Sequence, residues 1–198
     1  MVINVIILVI LQTEYKIMRI FKNLILLIVS PKVGWDEVCK SNISTNRLLH
    51  GMFLPLLLVL VVATFVPMFY DTTKEFSMLL IEAILNFGAF FFAYFVTVYI
   101  LDILYPELVT TEAGENRMCD FVMYNLMFLM LLKITMYVLP IEFVPLYFLM
   151  LYLPFIVYRG ETYLGVKPAK AVAFMLISSA MMLAIPFLIP PLFSLLIK

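Results

Sequence analysis

Residues 52–70 read Met-Phe-Leu-Pro-Leu-Leu-Leu-Val-Leu-Val-Val-Ala-Thr-Phe-Val-Pro-Met-Phe-Tyr, nineteen residues without a charge. A helix rises about 1.5 Å per residue, so ~20 apolar residues cross a hydrocarbon core about 30 Å thick. Four more apolar stretches follow: Ser77–Leu104, Cys119–Leu139, Phe143–Tyr158 and Ala171–Ile197. All but Phe143–Tyr158 are long enough to span unaided, and that one is marginal. The expected fold is all-α: a polytopic membrane protein with five transmembrane helices in one membrane domain, residues 51–198.

Composition agrees. The chain is 65% hydrophobic and 13% charged, with a mean hydropathy of +1.12. Soluble domains sit near half apolar and a quarter charged, so most of this apolar surface is expected to face lipid. Thirteen basic and thirteen acidic residues cancel, which leaves no basic surface for nucleic acid. Cys39 and Cys119 have no paired spacing and are expected to be free thiols.

The N-terminal apolar run, Val2–Leu11, is too short to span. No basic residue precedes it and no small-x-small cleavage site follows, so it is a poor signal peptide. Met18 opens a segment that reads as a sensible start. Residues 1–17 are therefore expected to be an over-long start or disordered, with Met18 as the initiator. Residues 18–50 form an arm. In it, Arg19 and Lys22 precede apolar residues at helical spacing, Ile20, Phe21, Leu24, Leu27 and Ile28, until Pro31 stops the helix. Two readings fit: a short interfacial helix lying in the membrane plane, with Trp35 at the headgroup boundary, or a segment packed against the helix bundle.

Basic residues orient the spans. With the N-terminus in the cytoplasm, Lys16, Arg19, Lys22, Lys32, Lys40, Arg47, Arg117, Arg159, Lys167 and Lys170 lie inside, while Lys74 and Lys198 lie outside. Cytoplasmic enrichment of lysine and arginine is the general rule. Five spans then put the C-terminus on the opposite side. Pro55, Pro67, Pro145, Pro154, Pro186, Pro190 and Pro191 lie in or near spans, where each removes a backbone donor. Ordinary membrane-helix proline enrichment accounts for them, and so does a broken transporter helix.

Two charges lie well inside spans, while Asp102 and Asp120 sit at span ends. Glu82 and Lys133 each sit roughly 8–9 Å below the outer surface at helical rise. Equal depth on adjacent helices makes them a candidate intramembrane ion pair. They are structural, snorkelling or cation-handling groups in the alternative readings. Asn86, Asn125, Ser178 and Ser179 can hydrogen-bond across helices. One histidine, His50, cannot build a histidine-rich metal site, and no zincin, serine-elbow or phosphate-loop pattern occurs. No catalytic residue, cofactor or metal ligand is expected, and no enzyme activity.

Two regions carry a family resemblance. One is Leu27-Ile-Val-Ser-Pro-Lys-Val-Gly-Trp-Asp-Glu-Val38, an apolar run, a proline and a tryptophan with acidic neighbours ahead of the first span. The other comprises Phe121-Val-Met-Tyr-Asn125, Leu139-Pro140, Tyr158-Arg-Gly160 and Lys170-Ala171, in that order. The chain resembles bacterial members of the Yip family, relatives of the Rab-GTPase-interacting five-span membrane proteins. The arm has no Asp-Leu-Tyr-Gly-Pro-like motif, so the resemblance implies membrane organisation or partner recruitment rather than direct Rab binding. It also implies a bacterial inner membrane. The expected partners are the lipid bilayer and a protein on the cytoplasmic face or a second copy of the chain. Candidate contacts are Arg19, Lys22, Trp35, Arg159, Lys167 and Lys170. The alternative is a small solute transporter or its membrane subunit, motivated by Glu82, Lys133 and the prolines.

Overall fold

A computed structural model describes residues 17–41, 43–106, 116–140 and 145–196, and every regular element among them is helical. Residues 1–16, most of the acidic 106–117 loop, the start of the expected fourth span and Lys198 lie outside the described residues, as does the question of the initiator.

Four helices are long and apolar enough to cross a membrane: α3 (Thr45–Phe69), α4 (Phe76–Leu104), α5 (Arg117–Val138) and the part Pro168–Phe193 of the last helix. That last helix, here α8, runs Pro168–Leu196 and contains Pro186, Pro190 and Pro191. The remaining apolar stretch, α6 (residues 145–159), is an α-turn at Pro145–Leu149, a 3-10 turn at Met150–Tyr152 and an α-segment at Leu153–Arg159. The change of winding falls just ahead of Pro154, which has no N–H to give the carbonyl of Met150. A short helix, α7 (Glu161–Leu164), follows. In α3 a π-helical turn at Leu49–Phe53 likewise precedes Pro55 and absorbs its missing donor.

The arm is a helical hairpin, α1 (residues 17–29) and α2 (Pro31–Ser41). Ile20, Leu24 and Leu27 form a fully buried stripe at i, i+4, i+7 spacing. Met18, Phe21, Ile25 and Val29 form an exposed apolar stripe beside it. Gly34 is where α2 crosses α1: a Cβ there would stand 2.6 Å from both the Cα and the N of Leu27. Only glycine fits so close an approach of two backbones. The Arg19 guanidinium also joins the helices, donating to the Lys40 carbonyl at 3.4 Å.

Helix α5 is the most enclosed of the long helices, with 61% of its apolar window buried against 28–39% for the other three candidate spans. It packs on α3 and α4, while α8 lies along α4 and touches α6. The two ends of the bundle differ. At one, the arm meets the start of α5 and the end of α6. At the other, the α3–α4 turn meets the end of α5 and the start of α6. Residues 145–159 thus return the chain from the far end to the arm end over about 22 Å of helical rise.

Candidate functional site

At the far end, Glu82 of α4 and Lys133 of α5 line one cavity of about 570 Å³. Asp71 and Lys74 of the α3–α4 turn, Tyr137, Tyr147 and Phe187 complete much of its wall. The expected Glu82–Lys133 ion pair is not made: the only ion pair within 4.0 Å among the described residues joins Lys40 and Glu37. Each buried charge is instead held by a different set of neighbours.

Glu82 is held through hydroxyls. The Asn86 amide donates to Tyr137 Oη at 2.7 Å and to Thr64 Oγ1 at 3.2 Å. Thr64 passes its hydrogen to the Leu60 carbonyl at 3.0 Å, and Tyr137 passes its own to Glu82 Oε1 at 2.6 Å. A phenol has one hydrogen to give. With Asn86 donating to Tyr137, that hydrogen goes to the carboxylate, so the chain runs Asn86 to Tyr137 to Glu82. Asn86 and Thr64 are wholly buried, and the network ties α3, α4 and α5 together.

Lys133 is held by a carbonyl that prolines have released. Its Nζ donates to the Pro186 carbonyl at 3.3 Å. In a helix that carbonyl would accept from residue 190, but positions 190 and 191 are both proline and have no N–H. The ammonium fills the vacancy. It also lies over the rings of Phe187 at 5.1 Å and Phe90 at 5.9 Å, where ring quadrupoles favour a cation.

The cavity rim is fixed as well. Tyr70 Oη directs its one hydrogen at the Tyr137 carbonyl at 2.8 Å, with the Leu139 carbonyl sharing it at 3.3 Å, covering the unpaired C-terminal end of α5. Asp71 closes the turn by accepting from Thr73 Oγ1 at 2.6 Å and Thr73 N at 3.0 Å. These bonds from Thr73, side chain first, hold the Asp71 carboxyl below its ordinary range.

At the arm end sits Trp35, wholly buried. The arm packs against the bundle, and protein encloses the Trp35 ring. Its ring stacks between Phe121 and Tyr163, each 5.2 Å away, with Tyr124 edge-on at 6.2 Å. Its Nε1 donates to the Ile156 carbonyl at 2.9 Å, which also accepts from Gly160 N at 3.1 Å. Gly160 leaves room for the stack: a Cβ there would lie 2.5 Å from Phe121 Cε2 and 3.0 Å from Trp35 Cε2. Burial pushes the Tyr163 hydroxyl well above its ordinary range, and Arg117 donates to the Tyr163 carbonyl at 3.5 Å.

Of the other candidate contacts, Lys22, Arg159 and Lys167 are exposed around this end, and Lys170 is exposed with its Nζ 5.9 Å from the Tyr105 ring. Arg19 is spent within the arm. Cys39 and Cys119 are free thiols, the first exposed and the second buried. No group of three His, Cys, Asp or Glu among the described residues could hold a metal ion.

Sequence reading found Glu82 and Lys133 by their charge within apolar runs, and Asn86 as a cross-helix donor. It missed Tyr137 and Thr64. The signal for Tyr137 was present: Glu82 and Asn86, like Lys133 and Tyr137, stand at i, i+4 and so share a helix face. Protein-family models, curated proteins and solved structures offer no match to this chain.

Proposed function

We propose that this is a non-enzymatic integral membrane protein of the Yip type, organising membrane or recruiting partners from its arm end. The observation that carries it is the Trp35 seat, which makes the arm a fixed part of the bundle rather than a free tether. Around that fixed end lie the exposed basic side chains of Lys22, Lys32, Lys40, Arg47, Arg159, Lys167 and Lys170. Cationic side chains beside a membrane attract anionic lipid by about 1 kcal/mol each. The exposed apolar stripe of α1, Met18, Phe21, Ile25 and Val29, supports an interfacial helix with one face on the bundle and the other in the headgroup layer.

Five spans follow in this proposal, with residues 145–159 as a short fourth pass and the arm end in the cytoplasm of a bacterial inner membrane. The course of α6 from one end of the bundle to the other supports the odd number. Reporter fusions at the two termini test the topology: reporters on the same side of the membrane refute it. Replacing Arg159, Lys167 and Lys170 by Gln should reduce retention of anionic phospholipid in native mass spectrometry, and unchanged retention counts against the basic surface.

The second reading is passage of a small solute, favoured by the cavity that brings Glu82 and Lys133 together. Solute flux in proteoliposomes, lost in Glu82→Gln, is its test.

A further inference from the structure

We propose that the far-end cavity binds a small zwitterion carrying one primary ammonium and one oxyanion, with Glu82 taking the ammonium and Lys133 the oxyanion. This deepens the solute reading by naming the ligand class, but binding does not require passage.

Charge balance comes first. The cavity wall carries two carboxylates, Glu82 and Asp71, and two ammoniums, Lys133 and Lys74. A wall with no net charge suits a ligand with no net charge but two separated poles. A lone cation or anion would leave one of the inner charges facing its like.

The inner charges are also fixed in place without being neutralised. Tyr137 orients Glu82 through Oε1, and among the described residues the second carboxylate oxygen accepts nothing. Lys133 gives one hydrogen bond to Pro186 and rests on two aromatic faces, leaving donors unspent. Opposite charges in apolar surroundings lower their energy by pairing. Here a hydroxyl, a carbonyl and two rings hold them apart instead. A ligand with complementary poles would supply both missing partners.

The ligand's ammonium is primary because its seat is a carboxylate, a hydrogen-bond acceptor. A quaternary ammonium has no N–H to give a carboxylate and is recognised instead by aromatic cages; of the cavity's rings, Phe187 already serves Lys133 and Tyr137 is bonded to Glu82. The volume, about 570 Å³, falls within the range of small-molecule sites. It admits a free amino acid or the phosphoethanolamine headgroup of a membrane lipid; both carry the proposed chemistry.

Three probes distinguish these sources in protein purified in a sugar-based detergent: glycine and glycerophosphoethanolamine by calorimetry, and phosphatidylethanolamine by native mass spectrometry from nanodiscs. At least one should bind. Its trimethylated counterpart (glycine betaine, glycerophosphocholine or phosphatidylcholine) should bind at least tenfold more weakly, a comparison that needs no variant. Glu82→Gln and Lys133→Met should each weaken binding at least tenfold, and Lys133→Arg should retain it. Tyr137→Phe keeps both charges, and should weaken binding severalfold. Binding of glycine identifies a solute site; binding of the lipid alone identifies an outer-leaflet headgroup site. Failure of all three probes, equal binding of the trimethylated forms, or full binding by Glu82→Gln overturns the proposal. Binding without flux would remove transport and leave the site standing.

Discussion

Replacing Gly160 by Ala tests the Trp35 seat directly. The added methyl would stand 2.5 Å from Phe121 Cε2 and 3.0 Å from Trp35 Cε2, whereas ordinary carbon contacts lie at about 3.5–4.0 Å. One ring edge must therefore retreat by roughly 1 Å. Neither can do so freely. Trp35 is stacked on both faces and tied to Ile156, and Phe121 is backed by Phe174 at 5.6 Å. Overpacking of this kind costs about 1–3 kcal/mol. Alanine's backbone advantage over glycine returns ~1 kcal/mol at most. Subtracting that return leaves a net loss of up to about 2 kcal/mol, or a fall of up to about 8 °C in thermal midpoint by the scaling for proteins of this size. Trp35 is the single tryptophan, so its emission reports on this contact alone; it should shift to the red and become more open to aqueous quencher. Gly88→Ala is the internal control. Nothing lies within 4 Å of its added methyl, so the same substitution should stabilise by about 0.5–1 kcal/mol. Equal midpoints and unshifted emission for Gly160→Ala would refute the close-packing argument.

Tyr137→Phe removes the hydroxyl on Glu82 Oε1 and one partner of buried Asn86, and should destabilise by about 1–3 kcal/mol in thermal melting; a change within error would mean the hydroxyl chain is not formed. Lys133→Met strands the Pro186 carbonyl, while Pro190→Ala restores a backbone donor to it. The double variant should therefore melt higher than Lys133→Met alone, and strict additivity of the two losses contradicts the shared-carbonyl account. The lowered Asp71 carboxyl contributes to the α3–α4 turn above its ordinary unfolded value of 3.8 and is lost as pH falls through the still lower folded value. Protection of the Thr73 amide, relative to its intrinsic exchange rate, should fall in that acid window, and Thr73→Val should remove much of the pH dependence.

Much of the scaffold was legible because a bilayer-length apolar run has few other uses. Expected Ser77–Leu104 and Cys119–Leu139 fall within two residues of α4 and α5. Expected Met52–Tyr70 began seven residues late, since α3 continues through the polar Thr45–His50 segment, where hydropathy has no signal but the backbone keeps its helical bonds. Residues 143–158 read as one marginal apolar run holding two prolines, and the structure winds the described part, 145–159, as an α-turn, a 3-10 turn and an α-segment; apolar composition does not record hydrogen-bond register. At the cavity, charge marked Glu82 and Lys133 but suggested they met. Their actual holders are a tyrosine and a carbonyl opened by two prolines, and a released carbonyl has no letter in the sequence. Trp35 was visible as an anchor, but its seat gathers rings from α5 and α7 and a carbonyl from α6, all far from it in the chain, which no local pattern encodes.

The Trp35–Ile156 hydrogen bond joins residues 121 positions apart. At a synthesis rate of about 5–20 residues per second, Trp35 waits roughly 6–24 s for its acceptor to be made. The arm is thus translated well before its seat and docks only once that seat exists. For that interval its buried stripe, Ile20, Leu24 and Leu27, has no finished bundle to rest on, and the anchor reaches its final seat only after α6 has been made.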